Sequence, residues 1–487
     1  MKLILINRNC VLFVIMTVNL LSIKVLLSQA PDTLWTRQYG TAYDDYLLSI
    51  GPTPDSQFIM TGMKWTSTAY RAWLVKISPA GDTIWTKSYG LNNTFNIGYE
   101  VRTIPGGGYI IAGLTNPYNS NNCDLLMVKT DANGDTAWIR AFGGDSIDYG
   151  FSVDNTPDGG YIATGYTMSF GNGGYDLFLI KVDTLGNWQY AKTFGGSFDE
   201  VGYSVRATSD SGFIICGCNS SLSLTGMDGW LIKTDAQGDT IWTKTITHGF
   251  YDDLYAVRPL VDGGYILTGW ALVTDTLNLD LSLTRTDSSG NVIWSKLYDG
   301  GSDDMGFSVE PTTDGGFIVG GATYSTGSGG ENFWILKTDS LGDTIWTKKV
   351  GGWADEECHS VIPTADNGYL AAGITESGGI YFNGWLVKLG WPSCTAEMSR
   401  PFFSGSCRIR NNPVRLKPAF DLYLAEATAV SLKIYDAAGR LAAIPYSGRM
   451  TTGRHAVMGP DDLSAGVYFY CLETSTGKLT GKFVVTK

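Results

Sequence analysis

The feature that most constrains this chain is a sequence repeat of about 52 residues. Three markers each occur seven times in nearly constant register, which indicates seven copies of one structural unit. The first is the aromatic residue of "DGGY"-like phrases: Phe58, Tyr109, Tyr161, Phe213, Tyr265, Phe317 and Tyr369. The second is the cation of "WLVK"-like phrases: Lys76, Lys129, Lys181, Lys233, Arg285, Lys337 and Lys388. The third is the aromatic residue of "DTIWT"-like phrases: Trp35, Trp85, Trp138, Tyr190, Trp242, Trp294 and Trp346.

Each copy contains four strand-length runs that are rich in β-branched and aromatic residues. In the third copy they span residues 149–153, 160–166, 176–183 and 188–194. The phrases "PDGG" and "TDAQGD" between such runs supply the Gly and Asp that tight turns need. Four antiparallel strands in each of seven copies predict an all-β fold, a seven-bladed β-propeller over residues 31–390. The recurrent Trp is expected to fill the space between neighbouring sheets, and the recurrent cation to pair with a carboxylate or stack on an aromatic ring.

The two ends of the repeat are incomplete in a complementary way. Only the phrase "DTLWTRQ" precedes the first full copy, whereas the seventh copy stops at residues 384–390, after its third run. We therefore expect the N-terminal run to supply the fourth strand of the last blade, so that the ring closes without an exposed sheet edge.

The segment before this run has the organisation of a secretory signal peptide. Lys2 and Arg8 precede an apolar stretch, and "SQA" ends it at Ala30. We predict a signal peptide over residues 1–30, removed after Ala30, and no transmembrane segment in the mature chain. An uncleaved membrane anchor is the alternative, against which Lys24 and the shortness of the apolar run both argue.

Charge and motif content exclude several classes of function. The net charge of −12 disfavours nucleic-acid and anionic-lipid partners. The sequence has no C-x-x-C pattern, no G-x-S-x-G elbow and no phosphate-binding Gly loop, and its three histidines are isolated. We therefore expect a non-enzymatic protein without a cofactor, although a bound cation such as calcium is compatible with the charge.

Two parts of the chain resemble known families. The phrases "YIATGYT", "GGYDLFLIKVDTLGN" and "TFGGSFDEVGYSV" resemble the seven-bladed β-propeller repeats of secreted bacterial proteins, over roughly residues 32–390. That resemblance implies the fold and leaves the function open.

The second resemblance lies after Trp391, where the repeat ends. We predict a linker over residues 391–410 and a small Ig-like β-sandwich over residues 411–487. The residues Asn412-Pro413, "IYDAAGR", "DLSAGVYFY" and the terminal "GKFVVTK" are similar to the C-terminal sorting domain (type A-like) of the type IX secretion system. This implies secretion machinery as a partner and a secreted or cell-surface location, with the domain either cleaved or retained. The alternative is the related fold of flagellar hook-capping proteins. Cys394 and Cys407 could form a disulfide in an oxidising compartment.

An acidic residue recurs five positions before an apolar residue of each first run. The set is Asp45, Asp148, Glu200, Asp252, Asp304 and Glu356, with Asn96 in the second copy. Four members follow another acid, namely Asp44, Asp199, Asp303 or Asp355. These residues could hold a cation near one mouth of the channel. Because a feature of every blade usually serves every blade, the favoured interpretation is that they accept hydrogen bonds from loop amides.

The loops between the second and third runs break the sequence symmetry. Their aromatic residues are the candidate ligand contacts, because aromatic rings beside carboxylates suit sugars or an extended protein segment. The alternative is that these rings pack only against their own loops. The candidates are Trp65, Tyr70, Tyr118, Phe170, Trp270, Tyr381 and Phe382.

Three functions remain open from the sequence. The first is a secreted or surface-attached binding or adhesion protein with a protein or glycan ligand. The second is a carbohydrate-active enzyme that uses carboxylates of the loop face. The third is an envelope scaffold without a small-molecule ligand.

Overall fold

A computed structural model describes residues 30–486 of the 487-residue chain, except 92–93, 118–121, 224–225, 273–277, 325–329, 377–380, 391–404, 411–412, 416, 425–426, 437–439 and 475–477. The predicted signal peptide, Tyr118 and Cys394 lie outside these residues. The described residues form β-strands, turns and loops but no helix. None of them therefore belongs to a helix with the length and apolar character to cross a membrane.

The repeat folds into seven four-stranded antiparallel sheets, one for each copy. The first sheet is β2 (Tyr46–Pro52), β3 (Phe58–Trp65), β4 (Tyr70–Ile77) and β5 (Thr83–Tyr89); the second is β6 (Thr94–Thr103), β7 (Tyr109–Pro117), β8 (Asp124–Thr130) and β9 (Thr136–Phe142); the third is β10 (Asp148–Asn155), β11 (Tyr161–Thr167), β12 (Asp176–Val182) and β13 (Trp188–Phe194); the fourth is β14 (Glu200–Ala207), β15 (Phe213–Asn219), β16 (Asp228–Thr234) and β17 (Thr240–Ile246). The fifth is β18 (Tyr251–Pro259), β19 (Tyr265–Leu272), β20 (Leu279–Thr286) and β21 (Val292–Tyr298); the sixth is β22 (Asp304–Pro311), β23 (Phe317–Thr323), β24 (Asn332–Thr338) and β25 (Thr344–Val350); the seventh is β26 (Glu356–Pro363), β27 (Tyr369–Thr375), β28 (Asn383–Gly390) and β1 (Asp32–Tyr39).

The N-terminal strand closes the seventh sheet, which is the pairing that the interrupted repeat predicts. β1 runs antiparallel to β28, from Asp32 opposite Gly390 to Tyr39 opposite Gly384. Half-buried Trp35 and Tyr39 pack into an apolar cluster that joins the seventh sheet to the first. The first and last sheets are therefore held together by backbone hydrogen bonds and by side-chain packing.

Apolar clusters fill the space between each pair of successive sheets. The recurrent tryptophan contributes by covering a turn glycine of the next sheet. A Cβ on Gly134, whose φ is +78°, would lie 2.8 Å from the ring of Trp85. In six of the seven copies the recurrent cation pairs with the aspartate of the "PDGG"-like turn, as in Lys76–Asp55 at 2.6 Å, whereas Lys129 lies over the ring of Tyr161. These contacts explain why the three sequence markers recur together.

Every sheet has a β-bulge at the same place in its first strand. The pairing of β10 with β11, for example, skips one residue between Gly150 and Ser152. A glycine opposes the bulge, and a Cβ on Gly165 would lie 1.8 Å from the carbonyl oxygen of Tyr149, so no larger residue fits there. The bulged residues are Leu48, Tyr99, Phe151, Tyr203, Tyr255, Phe307 and His359.

The C-terminal region forms two further sheets around one apolar core. It begins earlier than the predicted boundary at residue 411, because a strand within the predicted linker is paired to its neighbour in the domain. One sheet contains β29 (Gly405–Ile409), β30 (Ala419–Leu424) and β33 (Gly453–Met458); the other contains β31 (Thr428–Asp436), β32 (Leu441–Met450), β34 (Gly466–Thr474) and β35 (Lys478–Val485).

Candidate functional site

The loops that precede the first strand of each sheet, and those that join its second and third strands, lie at the same end of the sheets. We call this end the loop face and the opposite end the turn face. The candidate ligand-contact and acidic residues that the structure describes belong to the loop face or to strand ends beside it; Tyr118 is outside the described residues.

The recurrent acids are enclosed by their own loops. Their exposed fractions are 0–1% for all six carboxylates and 0% for Asn96. Glu200 accepts hydrogen bonds from the amides of Gly196 (2.8 Å) and Ser221 (2.9 Å), which belong to the two loops that flank it. Asp45 and Asp148 likewise join the loop before their strand to the end of the second strand or the loop after it. These contacts use the carboxylates to fix the loops and leave little room for a ligand.

The second acid of the pair acts between sheets. Asp199 accepts a hydrogen bond from the amide of Tyr175 in the preceding sheet, at 3.0 Å. Asp303 and Asp355 make the equivalent contact at 3.0 Å, and Asp44 makes it across the ring closure, to the amide of Phe382. The acidic dipeptides therefore fix each loop and also connect neighbouring sheets.

Replacement of Glu200 by alanine is expected to lower the free energy of unfolding by about 2–4 kcal/mol. The change leaves two amides without their acceptor in a closed environment. Glu200→Gln keeps one acceptor oxygen and is expected to lose less than half as much, as chemical denaturation would measure. Equal stability of the alanine variant and the wild type would show that this carboxylate does not hold the loops.

The recurrent acids do not form a metal centre among themselves. No group of three or more His, Cys, Asp or Glu side chains that could hold a metal ion occurs in the part of the chain that the structure describes. The carboxylates are separated into different sheets, each with its own amide donors. A shared calcium site at the channel mouth is therefore unsupported by their positions.

The fold brings four of the predicted aromatic residues together. Trp65 contacts Tyr70, with ring centroids 4.9 Å apart, and Tyr43 links Trp65 to Tyr381. Phe382 lies nearby on Tyr46, at 5.7 Å. The result is an aromatic cluster where the first and last sheets meet.

The other predicted aromatic residues lie apart from this cluster. Phe170 packs over Phe178 of its own sheet, with centroids 5.9 Å apart. Trp270 interacts with the hydroxyl of Tyr255, which lies on the first strand of the same sheet. The two residues therefore do not extend the aromatic cluster.

Exposed aromatic side chains are concentrated on the loop face. Eight of the nine exposed aromatic residues among the described residues up to 390 lie there, whereas Trp188 lies at the turn face. Trp353 is the most exposed, at 84%. Exposed aromatic groups in one region are typical of interaction surfaces. The eight are Tyr43, Phe170, Phe198, Phe250, Tyr251, Tyr324, Trp353 and Tyr381.

The bulged residues form an inner ring, defined by Leu48, Tyr99, Phe151, Tyr203, Tyr255, Phe307 and His359. From Tyr99 to His359, each member contacts the next, with ring centroids 4.6–5.4 Å apart. All seven are half-buried. These contacts connect the first strands from the second sheet to the seventh, and Leu48 packs with Tyr99 against one apolar cluster.

One stretch of the inner surface is polar, although most repeats have an apolar or aromatic residue at the position of Glu357. His359 lies 3.2 Å from a carboxylate oxygen of Glu357, which is hydrogen-bonded to Glu331, and Glu331 in turn contacts the hydroxyl of Tyr324. Burial and the neighbouring carboxylate raise the pKa of Glu331, which favours its protonated form beside Glu357. Burial opposes ionisation of Glu357, but its hydrogen bond to His359 lowers its pKa. This chain leads from the inner ring to exposed Tyr324.

A second acid of the inner surface is isolated. Burial raises the pKa of Asp253 to about 7, although Cys218 and Tyr203 donate hydrogen bonds to it. Its Oδ1 atom has no hydrogen-bond partner within the described residues. Asp253 occupies the position that Glu357 has in the seventh sheet, and it lies beside inner-ring residues Tyr203 and Tyr255.

A buried charge cluster lies on the turn-face side of the inner ring. Glu100 accepts hydrogen bonds from Arg206 (2.6 Å) and Ser152 (2.6 Å) and lies 3.1 Å from Arg102. Burial alone would raise the pKa of Glu100, but Arg206, Arg102 and Arg258 together lower it to about 2. The cluster spans several first strands and thereby connects sheets.

Sequence reasoning missed the inner ring and the polar residues beside it. The inner-ring positions recur at the repeat spacing, so the sequence register alone could have shown that these residues form one set. Their direction could not be read from alternation, because the bulge shifts which side chains face inward. The predicted disulfide involves Cys394, outside the described residues; Cys407 is buried in the C-terminal core.

The comparisons with known proteins show no family for this chain. No family model and no curated protein matches the chain. Among solved structures, the WD40 domain of Neurospora crassa Pan2 is similar with a TM-score of 0.49 and 10% identity, over 75% of this chain and 97% of that one. Sqt1 from Chaetomium thermophilum gives 0.41 and 11%, over 71% and 82% of the two chains. A puromycin hydrolase S511A mutant gives 0.46 and 15%, over 79% and 60%.

The chain has an all-β, propeller-like architecture of four-stranded antiparallel sheets, and this architecture by itself assigns no activity.

Proposed function

We propose that this protein is a secreted or cell-surface binding protein whose seven-bladed propeller holds a ligand on its loop face. The observation that carries this proposal is the concentration of exposed aromatic side chains on that face, with one on the turn face. Aromatic side chains contribute much of the energy of recognition, because they bury a large area with few rotatable bonds.

We propose a non-catalytic role. The recurrent carboxylates are enclosed and occupied by loop amides, so they are poorly placed to reach a substrate. Buried Glu331 and half-buried Glu357 are hydrogen-bonded to each other. Glycosidases instead hold their two carboxyl groups about 5 Å or more apart, with the glycosidic bond between them. This geometry supports the binding protein over the carbohydrate-active enzyme.

The proposed location rests on the two ends of the sequence. Residues 1–30 have the charge and apolar pattern of a signal peptide. The C-terminal region, which we propose to be Ig-like, carries the phrases "IYDAAGR" and "DLSAGVYFY", which resemble type IX sorting domains. Intact mass measurement of the exported protein would test both features. Retention of residues 1–30, or failure to export a reporter fused to residues 405–487, would contradict this part.

Removal of exposed loop-face rings is expected to weaken ligand binding by about thirty-fold or more, because an anchoring aromatic residue typically contributes about 2 kcal/mol. The variant combines Trp353→Ser with Tyr43→Ser, and both side chains project into solvent. Ligands would first be identified on glycan and protein arrays with the exported protein, and affinities then measured by calorimetry.

The matched control is Trp188→Ser, which removes the exposed ring of the turn face. It is expected to bind within about two-fold of the wild type. Equal affinity of all three proteins for an array ligand would exclude the loop face as the binding surface. Absence of any ligand, together with normal function of the double variant in the cell, would favour the scaffold.

A further inference from the structure

The two faces of the ring of sheets differ in whether their carboxylates are paired with basic side chains. On the turn face, acids of the turns are neutralised by cations, as in Lys87–Asp135 (2.7 Å) and Lys192–Asp239 (2.7 Å). The recurrent cation of the third strand adds pairs such as Lys233–Asp210 at 2.9 Å. Positive and negative charges therefore largely cancel on that side.

The loop face lacks this compensation. None of its fourteen loops contains a Lys or Arg in the sequence. Three basic residues lie next to these loops at strand ends, namely Lys64 and Arg71 in the first sheet and Lys349 in the sixth. Lys64 lies over the ring of Trp73, and Arg71 donates to the carbonyl oxygen of Leu91. Within the described residues, the ion pairs of the loop face and of the inner surface beside it are those of His248 and His359.

Several loop-face acids reach solvent without a basic side chain. Asp145, Asp199 and Asp299 are exposed, and Asp303 and Asp355 are half-buried. Those whose hydrogen bonds are known accept them from backbone amides, which carry no net charge. The face thus combines uncompensated negative charge with eight exposed aromatic rings.

We propose that the loop face binds a basic polypeptide segment, which rests on its proposed function as the binding surface. Lysine and arginine side chains match both features, because their charges pair with carboxylates while their apolar stems and cationic heads pack on aromatic rings. Charge complementarity also accelerates association and rejects acidic competitors. Neutral glycans would leave the carboxylates unpaired, and anionic polymers would be repelled.

The inner surface strengthens this preference for positive charge. Glu331 and Glu357 bring two carboxyl groups into hydrogen-bonding contact, and Glu357 is half-buried. Asp253 occupies the equivalent position in the fifth sheet, and its Oδ1 atom has no hydrogen-bond partner within the described residues. A basic side chain that enters from the loop face would meet half-buried Glu357, with His359 as the opposing group.

The experiment measures binding of a short fluorescent peptide that alternates Lys or Arg with Tyr and Ser. The comparison peptides replace every Lys and Arg by Gln or by Glu. We expect the basic peptide to bind about ten-fold or more tightly than the Gln peptide at low salt, and the Glu peptide not to bind. Raising the salt concentration should weaken binding of the basic peptide.

The test variant combines Asp199→Asn, Asp303→Asn and Asp355→Asn. Each change removes a charge but keeps an oxygen that can accept the amide hydrogen bond between sheets. We expect affinity for the basic peptide to fall about ten-fold. The control combines Asp135→Asn, Asp239→Asn and Asp343→Asn, which changes the same charge on the turn face. It is expected to bind within about two-fold of the wild type.

Thermal denaturation of both triple variants verifies that each is folded. Equal binding of the basic and Gln peptides would overturn the proposal, as would equal losses in the two triple variants. If a glycan or neutral peptide binds instead and is lost with Trp353→Ser, the preference for basic peptides is wrong and the binding function stands. If no peptide or glycan binds, both proposals fail.

Discussion

Deletion of residues 32–38 is expected to destabilise the protein by about 5 kcal/mol or more, or to abolish cooperative unfolding. β28 would keep β27 but lose β1, the strand that is hydrogen-bonded along its other edge. Trp35 would leave the cluster that contains Trp73 and Leu386. The loss of several hydrogen bonds and of large apolar contacts acts at the closure of the whole ring. Denaturation by urea, followed by tryptophan fluorescence, would measure the change.

A peptide of residues 31–40 supplied in trans provides the control. It should restore part of the lost thermal stability, because the vacant edge of β28 offers the same ladder to an added strand. A scrambled peptide should not. If the truncated protein melted at the same temperature as the intact one, β1 would be an N-terminal extension without a role in closure.

Replacement of Glu100 by alanine is expected to cost about 3–5 kcal/mol. The Glu100 side chain is only 13% exposed, and its loss would leave Arg206 and Arg102 buried near each other without their carboxylate. The matched surface change is Asp421→Ala, which breaks the solvent-exposed pair with Arg410 and should cost far less. Similar costs for the two changes would show that the inner charge cluster does not stabilise the ring.

The same carboxylate predicts a dependence on pH. The pKa of Glu100 is about 2 in the folded protein, against 4.5 for an ordinary glutamate. The folded state therefore binds fewer protons than the unfolded state between these values, and this contribution is present above pH 4.5 and lost as the pH falls towards 2. Glu100→Gln should be less stable at neutral pH and should lack this part of the acid dependence.

The repeat predicted the positions of many candidate-site residues but not their exposure or their contacts. The register placed Glu200 and its equivalents at the loop face, and the symmetry argument favoured their structural role. The exposure of Trp353, Phe198 and Phe250 was not predicted. These residues lie in the loops before the first strands, whereas the candidate aromatic residues belong to the loops between the second and third strands. The repeat register also locates these loop residues in the sequence. Whether an aromatic ring projects into solvent, however, depends on the neighbouring loops.

The inner surface illustrates a second limit. Tyr99, Phe151 and Tyr203 occupy equivalent positions in the repeat, yet strict alternation along a strand would misassign the side chains on one side of the bulge. Glu331 and Glu357 are 26 residues apart and belong to different sheets. Their hydrogen bond depends on the approach of two sheets, which no local pattern encodes.

What the sequence determined by itself is the repeating unit: its four strands, its turns, its Trp and Lys contacts, and the need for β1 to complete the last sheet. These follow from local propensity, from alternation and from a period that recurs seven times. The tertiary structure decided which acids are enclosed, which rings are exposed and which polar side chains meet at the inner surface. Those properties arise only when neighbouring sheets pack, because burial and charge pairing depend on residues distant in the chain.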